Sequence, residues 1–328
     1  LRMRVAENVH RIQKTAYMLS KLDVYCSLAE VASRNGYTRP EVGYGDVISI
    51  KDGRHPVVEQ LISAPFVSND TYLDSDADRC AIITGPNMAG KSTYMRQVAL
   101  ITLMAQIGSF VPAQMAQIGV VDAIYTRVGA SDDLASGQST FMVEMSEVAE
   151  ILKNATKKSL LILDEIGRGT ATFDGMAIAR AVLEYVADKR RIGAKALFAT
   201  HYHELTEMEG ELQGIRNYNI AVKKRGDDII FLRRIVRGGA DDSYGIEVAR
   251  LGGIPKPVIE RAKQILKQTL ESGIVTYKTA PSDTAQLPLE MQGATDILRE
   301  LQALDVNTLT PIESMSILFD LANKAKSI

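Results

Sequence analysis

The segment CAIITGPNMAGKST, from Cys80 to Thr93, constrains the fold of this chain more than any other stretch. A short apolar run stops at a glycine-rich turn, and a helical pattern begins at Lys91. Strand, loop and helix in this order, with G-x-x-x-x-G-K-S between Gly85 and Ser92, are the context that a phosphate-binding loop requires. The alternative is a glycine turn that arises by chance. Such a turn would not be expected to have a strand before it and a helix after it. The sequence therefore predicts an α/β fold that contains a P-loop.

The residues of the predicted loop have separate tasks. Glycines at positions 85 and 90 let successive backbone amides point at phosphate oxygens, and the following helix adds its positive N-terminal end. Lys91 is expected to neutralise the β and γ phosphates, while the Ser92 hydroxyl is expected to bind Mg²⁺. The predicted nucleotide-binding segment comprises Gly85, Pro86, Asn87, Met88, Ala89, Gly90, Lys91, Ser92 and Thr93.

Two carboxylates end a second apolar run, SLLILDE, from Ser159 to Glu165. A continuous apolar run is typical of a fully buried parallel strand, and ligands collect at the carboxyl ends of such strands. We expect Asp164 to hold the magnesium ion and Glu165 to polarise the attacking water. Two adjacent acids are more often a solvated strand end, but the P-loop earlier in the chain favours the catalytic interpretation.

His201 and Phe66 are weaker candidates. His201 ends a third apolar run, ALFATH, where a histidine can hydrogen-bond a γ-phosphate. Phe66 follows Pro65 in a polar segment upstream of the P-loop, where an aromatic ring can stack on adenine. Taken alone, Phe66 is more often a core residue, and His201 is as readily a structural side chain. The residues by themselves leave both alternatives open.

A helix is predicted from the segment STFMVEMSEVAEILKNA, which begins at Ser139. Ser139 or Thr140 is well placed to cap its N-terminus. By spacing alone an ordinary capped amphipathic helix is favoured over any functional role. The residues that share its apolar face are Phe141, Met145, Val148 and Leu152.

The ends of the chain differ from its centre. Residues 1–34 predict one helix about 50 Å long, which Asn35-Gly36 ends. Residues 215–236 predict a β-hairpin, and the segment from 241 predicts two helices joined by a GGIP turn. That outline invites a DNA-reading helix-turn-helix interpretation. A packing role is favoured instead by the apolar residues Ile246, Val248, Leu251 and Ile254.

Composition limits the class of protein. Lys and Arg total 38 against 40 Asp and Glu, so the chain shows no overall basic signature of nucleic-acid binding. Cys26 and Cys80 stand in no metal-ligand spacing and are expected to be reduced core thiols of a cytoplasmic protein. No signal peptide or apolar segment of membrane length occurs. Because the sequence opens with Leu1 inside a helical pattern, we expect a fragment of a longer protein.

Four strings occur in a fixed order: TGPNMAGKSTYMRQ, STFMVEMSE, DEIGRGTATFDG and ATHYHEL. Together they resemble the ATPase domain of the MutS family of DNA mismatch repair proteins, a branch of the ABC-type ATPases. The resemblance extends from about Gly53 to Leu270. It departs at Ala89, where many relatives have glycine. One added methyl need not block phosphate binding, since Gly85 and Gly90 remain.

The resemblance implies roles that spacing cannot supply. Ser139 would offer its hydroxyl and its helix N-terminus, in trans, to the γ-phosphate of nucleotide held by the opposite subunit, so that each site is completed only in a dimer. His201 matches the switch histidine, and Phe66 the adenine-stacking aromatic. Segment 167–175 resembles the loop that crosses the dimer interface, where the 241–270 element also packs.

The expected fold is an α/β P-loop NTPase of ABC type with a mostly parallel central sheet. A long N-terminal helix precedes the sheet, and a C-terminal helical dimerisation region follows it. Residues 271–292 are poor in large apolar side chains and are expected to form a flexible linker. The expected division is 1–40, the end of a helical lever; 41–240, the ATPase domain; 241–270, the interface element; 271–292, the linker; and 293–328, a self-association unit.

The expected function is hydrolysis of ATP with Mg²⁺ in a homodimer or higher oligomer, with Glu165, Lys91 and His201 as catalytic residues. The resemblance further implies action on mismatched DNA through domains that precede Leu1, a MutL-type partner, a bacterial cytoplasmic location and no membrane. One alternative is the ATPase of a recombination-suppressing MutS relative, although the tail shows no nuclease-like extension. The other is a nucleotide-dependent dimerisation module without turnover.

Overall fold

The computed structural model describes residues 2–86, 89–129, 139–225, 228–239 and 244–271, together with Phe319. The chain forms two compact units, Leu1–Lys263 and Gln264–Ile328, and both sheets lie in the first. Most of the predicted linker and of the predicted self-association unit lies outside the described residues. The predicted domain division therefore stays a prediction.

The secondary structure alternates between strands and helices through most of the first unit. In chain order, the strands are β1 (Glu41–Gly43), β2 (Ile48–Gly53), β3 (Asn69–Leu73), β4 (Cys80–Thr84), β5 (Met115–Gly119), β6 (Ile124–Arg127), β7 (Leu160–Asp164), β8 (Lys195–Ala199), β9 (Ile215–Arg225) and β10 (Asp228–Arg237). The helices are α1 (Arg2–Glu7), α2 (Val9–Asn35), α3 (Val58–Leu61), α4 (Lys91–Gln106), α5 (Thr140–Asn154), α6 (Thr172–Ala187), α7 (Met208–Glu211), α8 (Gly245–Leu251) and α9 (Lys256–Glu271).

The predicted N-terminal helix is present but interrupted. Helix α2 is about 40 Å long and ends at Gly36, whose φ of 60° places it in the left-handed conformation of a helix C-terminus. The break falls at Asn8, whose side-chain amide donates to the carbonyl of Arg4 at 2.8 Å, a local bond that competes with the helix. Cys26 is exposed on α2, so its predicted place in the core is wrong, whereas Cys80 is buried.

Six strands form the mostly parallel sheet that the sequence predicts. Their order is β10-β9-β4-β8-β7-β6, and each neighbouring pair is parallel except the hairpin of β9 and β10. Every residue of β4, β7 and β8 is buried. Burial on both faces explains why these strands read as continuous apolar runs rather than as alternating patterns.

Two layers of helix cover this sheet because neighbouring strand residues face opposite sides. On one side, Ile83 packs in the same cluster as Met95 and Ile101 of α4. On the other, Ile82 packs in the cluster that contains Leu183 and Val186 of α6. The sheet is therefore held between α4, which begins at the P-loop, and α6, which follows the loop after β7.

A second sheet of four strands, in the order β1-β5-β2-β3, was not predicted. Strand β5 was the element missed: its outward Met115 and Gln117 alternate with the buried Ala116 and Ile118. This period-two pattern is present in the sequence, but the small Ala116 conceals it. The predicted pair of helices after 241 is confirmed as α8 and α9, and α9 includes Glu271, where the linker was predicted to begin.

Within the described residues, no helix combines the length and the apolar character needed to cross a membrane.

Asn69 fastens the two sheets to one another. It lies on β3, is buried, and its side-chain amide donates to the carbonyl of Arg233 at 3.0 Å. Its carbonyl oxygen accepts from the backbone amide of Ile235 at 2.7 Å. These two bonds satisfy β10 at the point where its pairing with β9 is irregular and Arg233 has a φ of 54°. Asn69 thus replaces ladder bonds that the bulge removes.

We expect Asn69→Ala to lower the free energy of unfolding by about 1–3 kcal/mol, because it leaves the Ile235 amide and the Arg233 carbonyl of β10 without their side-chain partner in a partly buried place. Urea unfolding followed by circular dichroism measures this change. Asn154→Ala is the matched control, since Asn154 is exposed and bonds only Glu150 of its own helix. Equal effects of the two substitutions would contradict the role assigned to Asn69.

Candidate nucleotide-binding site

Three neighbouring parallel strands end at one edge of the six-stranded sheet, and a candidate residue or loop follows each of them. The P-loop follows β4, Glu165 follows β7, and His201 lies two residues after β8. Backbone bonds fix the register at this edge: the Thr200 amide donates to Ile83 O at 3.1 Å, and the Glu165 amide donates to Ala199 O at 2.9 Å. The predicted convergence of these strand ends is therefore present.

The P-loop has the backbone that its glycines allow. Gly85 and Gly90 have φ angles of 133° and 111°, values that side chains other than glycine rarely tolerate. Ala89 is fully buried, so its methyl group packs against the protein and is not exposed at the surface of the loop. Asn87 and Met88 lie outside the described residues. Helix α4 begins at Lys91 and directs its N-terminal amides toward the loop.

Lys91 is held inside the loop. Its side chain is buried, and its ammonium group donates to Gly85 O at 2.7 Å and to Pro86 O at 3.2 Å. Burial lowers the pKa of Lys91, while the nearby carboxylates of Glu165 and Asp164 oppose that shift. The ammonium group therefore bonds loop carbonyls at the place where phosphate oxygens are expected.

Asp164 supplies a carboxylate with spare capacity. It is buried at the end of β7 and has an Oδ1 atom without a partner in the structure, and the nearby Ser92 hydroxyl lowers its pKa. Burial raises the pKa of Asp164, and the neighbouring Glu165 charge adds to the rise. A buried carboxylate oxygen without a donor is rare and fits a site for a cation.

Magnesium suits this donor set. The ion binds through one or two carboxylates or hydroxyls and takes its remaining ligands from substrate phosphates and water. Ser92 and Asp164 provide such a pair of oxygen ligands. Across the described residues, no group of three or more His, Cys, Asp or Glu side chains is arranged to hold a metal ion. A magnesium ion at Ser92 and Asp164 would need further ligands from substrate and water.

Glu165 is engaged on both of its carboxylate oxygens. Oε1 lies 2.5 Å from His201 Nε2, and Oε2 accepts from the guanidinium group of Arg168. The residue itself has a φ of 55°, an uncommon value for a non-glycine residue and one often found at functional sites. Burial raises the pKa of the Glu165 carboxyl, but His201 and Arg168 outweigh this and hold it at about 2.

The pKa values of the two adjacent carboxyl groups are therefore shifted in opposite directions. The pKa of Asp164 is raised by burial, and the pKa of Glu165 is held low by two partners. Neighbouring acids whose surroundings separate their pKa values are a mark of sites that assign them different tasks. The arrangement agrees with one oxygen ligand for a cation and one carboxylate that stays ionised.

Ser139 and Phe66 are not brought into this group of contacts. Ser139 is exposed and caps α5, since its Oγ accepts from the Met142 amide at 3.2 Å. The predicted cap is confirmed, and the predicted role toward a partner's nucleotide stays a prediction. Phe66 is half-buried in the loop between α3 and β3, and its stacking role also stays a prediction.

Arg168 was missed by sequence reasoning. It forms an ion pair with Glu165 from three residues further along the chain. The available signal was the sequence DEIGR itself, in which a cation follows a carboxylate at a spacing that a single turn brings together. Arg168 was instead included in segment 167–175, which was assigned as a whole to the loop that crosses the dimer interface.

Comparison with known proteins gives a consistent result. The family model for MutS domain V matches residues 81–270 of this chain. The chain is 61% identical over 338 residues to the DNA mismatch repair protein MutS of Acetivibrio thermocellus, covering 99% of this chain and 38% of that protein.

Other relatives give the same picture. The MutS protein of Ruminiclostridium cellulolyticum is 60% identical over 334 residues, with the same coverage of both chains. The MutS protein of Clostridium tetani is 49% identical over 352 residues, which covers all of this chain and 40% of that protein. The chain thus spans well under half the length of these relatives.

The low pKa of Glu165 gives a pH-dependent prediction. Because its folded-state pKa lies below the ordinary value of 4.5, ionised Glu165 stabilises the folded chain above about pH 4.5. That stabilisation is lost as the pH falls toward 2. We expect Arg168→Ala to raise the pKa of Glu165 by about 1, because an opposite charge leaves the carboxylate. The stabilisation of the folded chain by ionised Glu165 is then smaller, and it is lost at a higher pH than in the wild type.

Carbon-13 NMR titration of glutamate carboxyl groups measures this pKa, with the Glu165 resonance identified by its loss in Glu165→Gln. Arg180→Ala serves as the control, since Arg180 pairs with Glu184 and Glu211 instead. A Glu165 pKa that is the same in wild type and Arg168→Ala would show that Arg168 does not hold the carboxylate in solution.

Proposed function

This chain belongs to the MutS family, and from that premise we propose that it is the ATP-hydrolysing part of a DNA mismatch repair protein. The proposed reaction is ATP plus water to ADP and phosphate. The observation that carries it is the convergence of the P-loop, Glu165 and His201 at one edge of a parallel sheet. The similarity of nearly the whole chain to MutS proteins supports the proposal independently.

The P-loop would hold the triphosphate. Its backbone amides and the N-terminus of α4 would bind the phosphates, and Lys91 would exchange its two bonds to loop carbonyls for bonds to the β and γ phosphates. Because the carbonyls are neutral and the phosphates are anionic, that exchange favours the bound state. Phe66 is proposed to stack on the adenine ring.

Ser92 and Asp164 would hold Mg²⁺, and the partnerless Oδ1 of Asp164 is the atom that most needs a cation. When bound, the ion neutralises charge on the β and γ phosphates. Ser92 would present its hydroxyl oxygen to the ion. Asp164 would remain ionised in the bound state because a nearby cation opposes the effect of burial on its pKa.

Glu165 is the proposed general base. A carboxylate whose pKa is about 2 is a weak base, and both of its oxygens are already bonded. Activation of water therefore requires Glu165 to release Arg168 or His201, which frees an oxygen and raises the pKa of the carboxyl. Arg168 and His201 would then be available to the γ-phosphate, His201 in the role of a switch.

Each site would be completed by a second copy of the chain. Ser139 is exposed at the N-terminus of α5, so its hydroxyl and the helix amides can be offered to nucleotide bound to another subunit. The 167–175 segment and the helices α8 and α9 are proposed to pack at that interface. Residues 293–328 are proposed to support further self-association. ATP would thereby act as a signal that closes two subunits together.

In the longer protein, this cycle would drive clamping on mismatched DNA and recruitment of a MutL-type factor, in the bacterial cytoplasm. A part in DNA mismatch repair is supported by the names of the relatives, of which this chain matches about 38%, while clamping and the MutL-type factor rest on the resemblance of the four motifs. Domains that read mismatches would belong to the remainder of those proteins.

Substitution of Glu165 by alanine tests the reaction. We expect ATP binding to persist and phosphate release to fall by about 100-fold or more, because Glu165 serves the attacking water and not the P-loop. Equilibrium binding of ATP and steady-state phosphate release measure the two properties. Glu150→Ala, on the exposed face of α5, is the control.

If Glu165→Ala turns over ATP at the wild-type rate, Glu165 is not the base. If the wild-type chain binds ATP without turnover, the chain is a nucleotide-dependent dimerisation module instead.

Ser139→Ala tests the shared site. We expect this substitution to weaken dimer formation with Mg²⁺ and a non-hydrolysable ATP analogue by about 10-fold, since a hydroxyl bonded to a charged phosphate contributes about 1.5 kcal/mol or more. Analytical ultracentrifugation measures the dimer dissociation constant. Ser146→Ala removes the same hydroxyl about two turns further along α5, where it bonds Met142 O, and should leave association unchanged. Identical sedimentation of wild type and Ser139→Ala would exclude Ser139 from the site.

A further inference from the structure

Glu144 is a buried carboxylate that lies outside the group of site residues. It belongs to α5, one turn beyond the Ser139 cap, and only 6% of its surface is exposed. Its Oε1 atom accepts a hydrogen bond from the backbone amide of Gly167 at 2.6 Å. Gly167 stands between Glu165 and Arg168, in the loop that leads from β7 to α6. One side chain thus joins α5 directly to the loop that carries the proposed base.

The charge of Glu144 is compensated from β6. The guanidinium group of Arg127 lies 3.6 Å from Glu144 Oε2, and its Nε lies 3.0 Å from Glu147 Oε2. Arg127 is itself buried. Buried charges are retained only when they are paired and hydrogen-bonded, and here the pairing leaves Oε1 available for the Gly167 amide. The carboxylate is therefore fixed in orientation rather than free to turn.

The same peptide is held from a second direction. The Tyr202 hydroxyl donates to Gly167 O at 3.0 Å, and Tyr202 is the residue after His201. Gly167 has a φ of 84°, and a Cβ atom there would lie 2.3 Å from Gly175 O. Because Gly167 has no side chain, its backbone can lie close to Gly175. In this position its amide and its carbonyl are within reach of Glu144 and Tyr202. Burial raises the pKa of Tyr202, and the Glu144 charge adds to the rise, which keeps the hydroxyl a donor.

We propose that Glu144 is a positioning residue that couples the Ser139 end of α5 to the loop of Glu165 and Arg168. The proposal rests on the function proposed above, in which Ser139 meets the nucleotide of a partner subunit. A helix is stiff over the single turn from Ser139 to Glu144, so a displacement of its N-terminus moves the carboxylate with it. The Gly167 amide follows, because its bond to Glu144 is buried and has no water to replace it.

The consequence is communication between two sites. Engagement of Ser139 by the partner's nucleotide would shift Gly167, and with it the contact of Arg168 with Glu165 in the subunit's own site. Release of that contact is the step that the proposed base requires. One subunit would thus sense the nucleotide of the other through a single hydrogen bond, and Glu144 would touch neither nucleotide.

Two conservative substitutions separate this role from a merely structural one. Glu144→Gln loses the charge that pairs with Arg127 but keeps an oxygen that can accept from Gly167. Glu144→Asp keeps the charge but is shorter by one methylene, so it no longer reaches the amide. Coupling requires that Glu144→Gln resemble wild type and that Glu144→Asp be impaired. If Glu144 served only as a structural ion pair with Arg127, Glu144→Gln would be impaired and Glu144→Asp would resemble wild type.

The turnover measurement is steady-state ATP hydrolysis by the complete chain under conditions that form the dimer. We expect Glu144→Asp to lower kcat by about 10- to 100-fold with KM within about twofold of wild type, because the base is misplaced while the P-loop is intact. Glu144→Gln should retain kcat within about threefold. Glu147→Gln, which removes the other partner of Arg127, is the control and should leave both constants unchanged. Equal kcat values for Glu144→Asp and wild type would overturn the proposal.

Hydrogen exchange provides a readout that does not depend on hydrolysis. In wild type, Mg²⁺ with a non-hydrolysable ATP analogue should alter exchange in residues 140–146 and in the loop at Gly167 together. In Glu144→Asp, the change should persist in residues 140–146, which the partner's nucleotide still engages, and disappear from the loop at Gly167. Retention of the linked change in Glu144→Asp would exclude coupling through Glu144. Absence of turnover in wild type would instead overturn the proposed function, so the two failures are distinct.

Discussion

The parallel register of β4, β8 and β7 is the constraint on which the rest of the site depends. Parallel neighbours end at the same edge, so the turn after each strand opens onto the same space. The bonds from Thr200 to Ile83 and from Glu165 to Ala199 continue this register beyond the strands. A shift of β7 by one residue would exchange the faces of Asp164 and Glu165 and remove both from their partners.

Charges at this edge are balanced within a buried space. Lys91 and Asp164 are both buried, and each carries a pKa shift that burial causes and the opposite charge limits. Glu165 is the exception, because its partners His201 and Arg168 more than offset the effect of burial. Because Lys91 and Asp164 are buried, the attraction between these two charges is stronger than it would be at a surface. The negative charge of an incoming phosphate would therefore change the electrostatic interactions of Lys91, Asp164 and Glu165 together.

The sequence predicted the strands and the helix caps of the site because these depend on local pattern. Continuous apolar runs identified β4, β7 and β8, and the serine before a helical pattern identified the cap at Ser139. The strand β5 was missed because Ala116 and Gly119 carry little apolar signal. The break at Asn8 was missed because an isolated asparagine is compatible with a helix until its side chain bonds the backbone.

Contacts between distant segments could not be predicted from spacing. The bonds from Glu144 to Gly167, from Tyr202 to the same peptide and from Asn69 to β10 join residues that lie 23, 35 and more than 160 positions apart. Glu144 has an ordinary place in the helical pattern, and its sequence neighbours give no sign that its carboxylate is buried. Only the packing of α5 against β6 and the loop determines that.

The polar groups of the candidate site are already bonded to one another, and this has an energetic consequence. Lys91 bonds two loop carbonyls, and Glu165 bonds Arg168 and His201, so arrival of a triphosphate exchanges hydrogen bonds rather than adding them. The net gain on binding is therefore smaller than the number of new contacts suggests. Binding would therefore be accompanied by side-chain movement. Lys91 would have to break its bonds to the loop carbonyls to bind phosphate, and Glu165 would have to release a partner to bind water. Under the proposed function, a site built in this way would convert the presence of nucleotide into movement of its own loops.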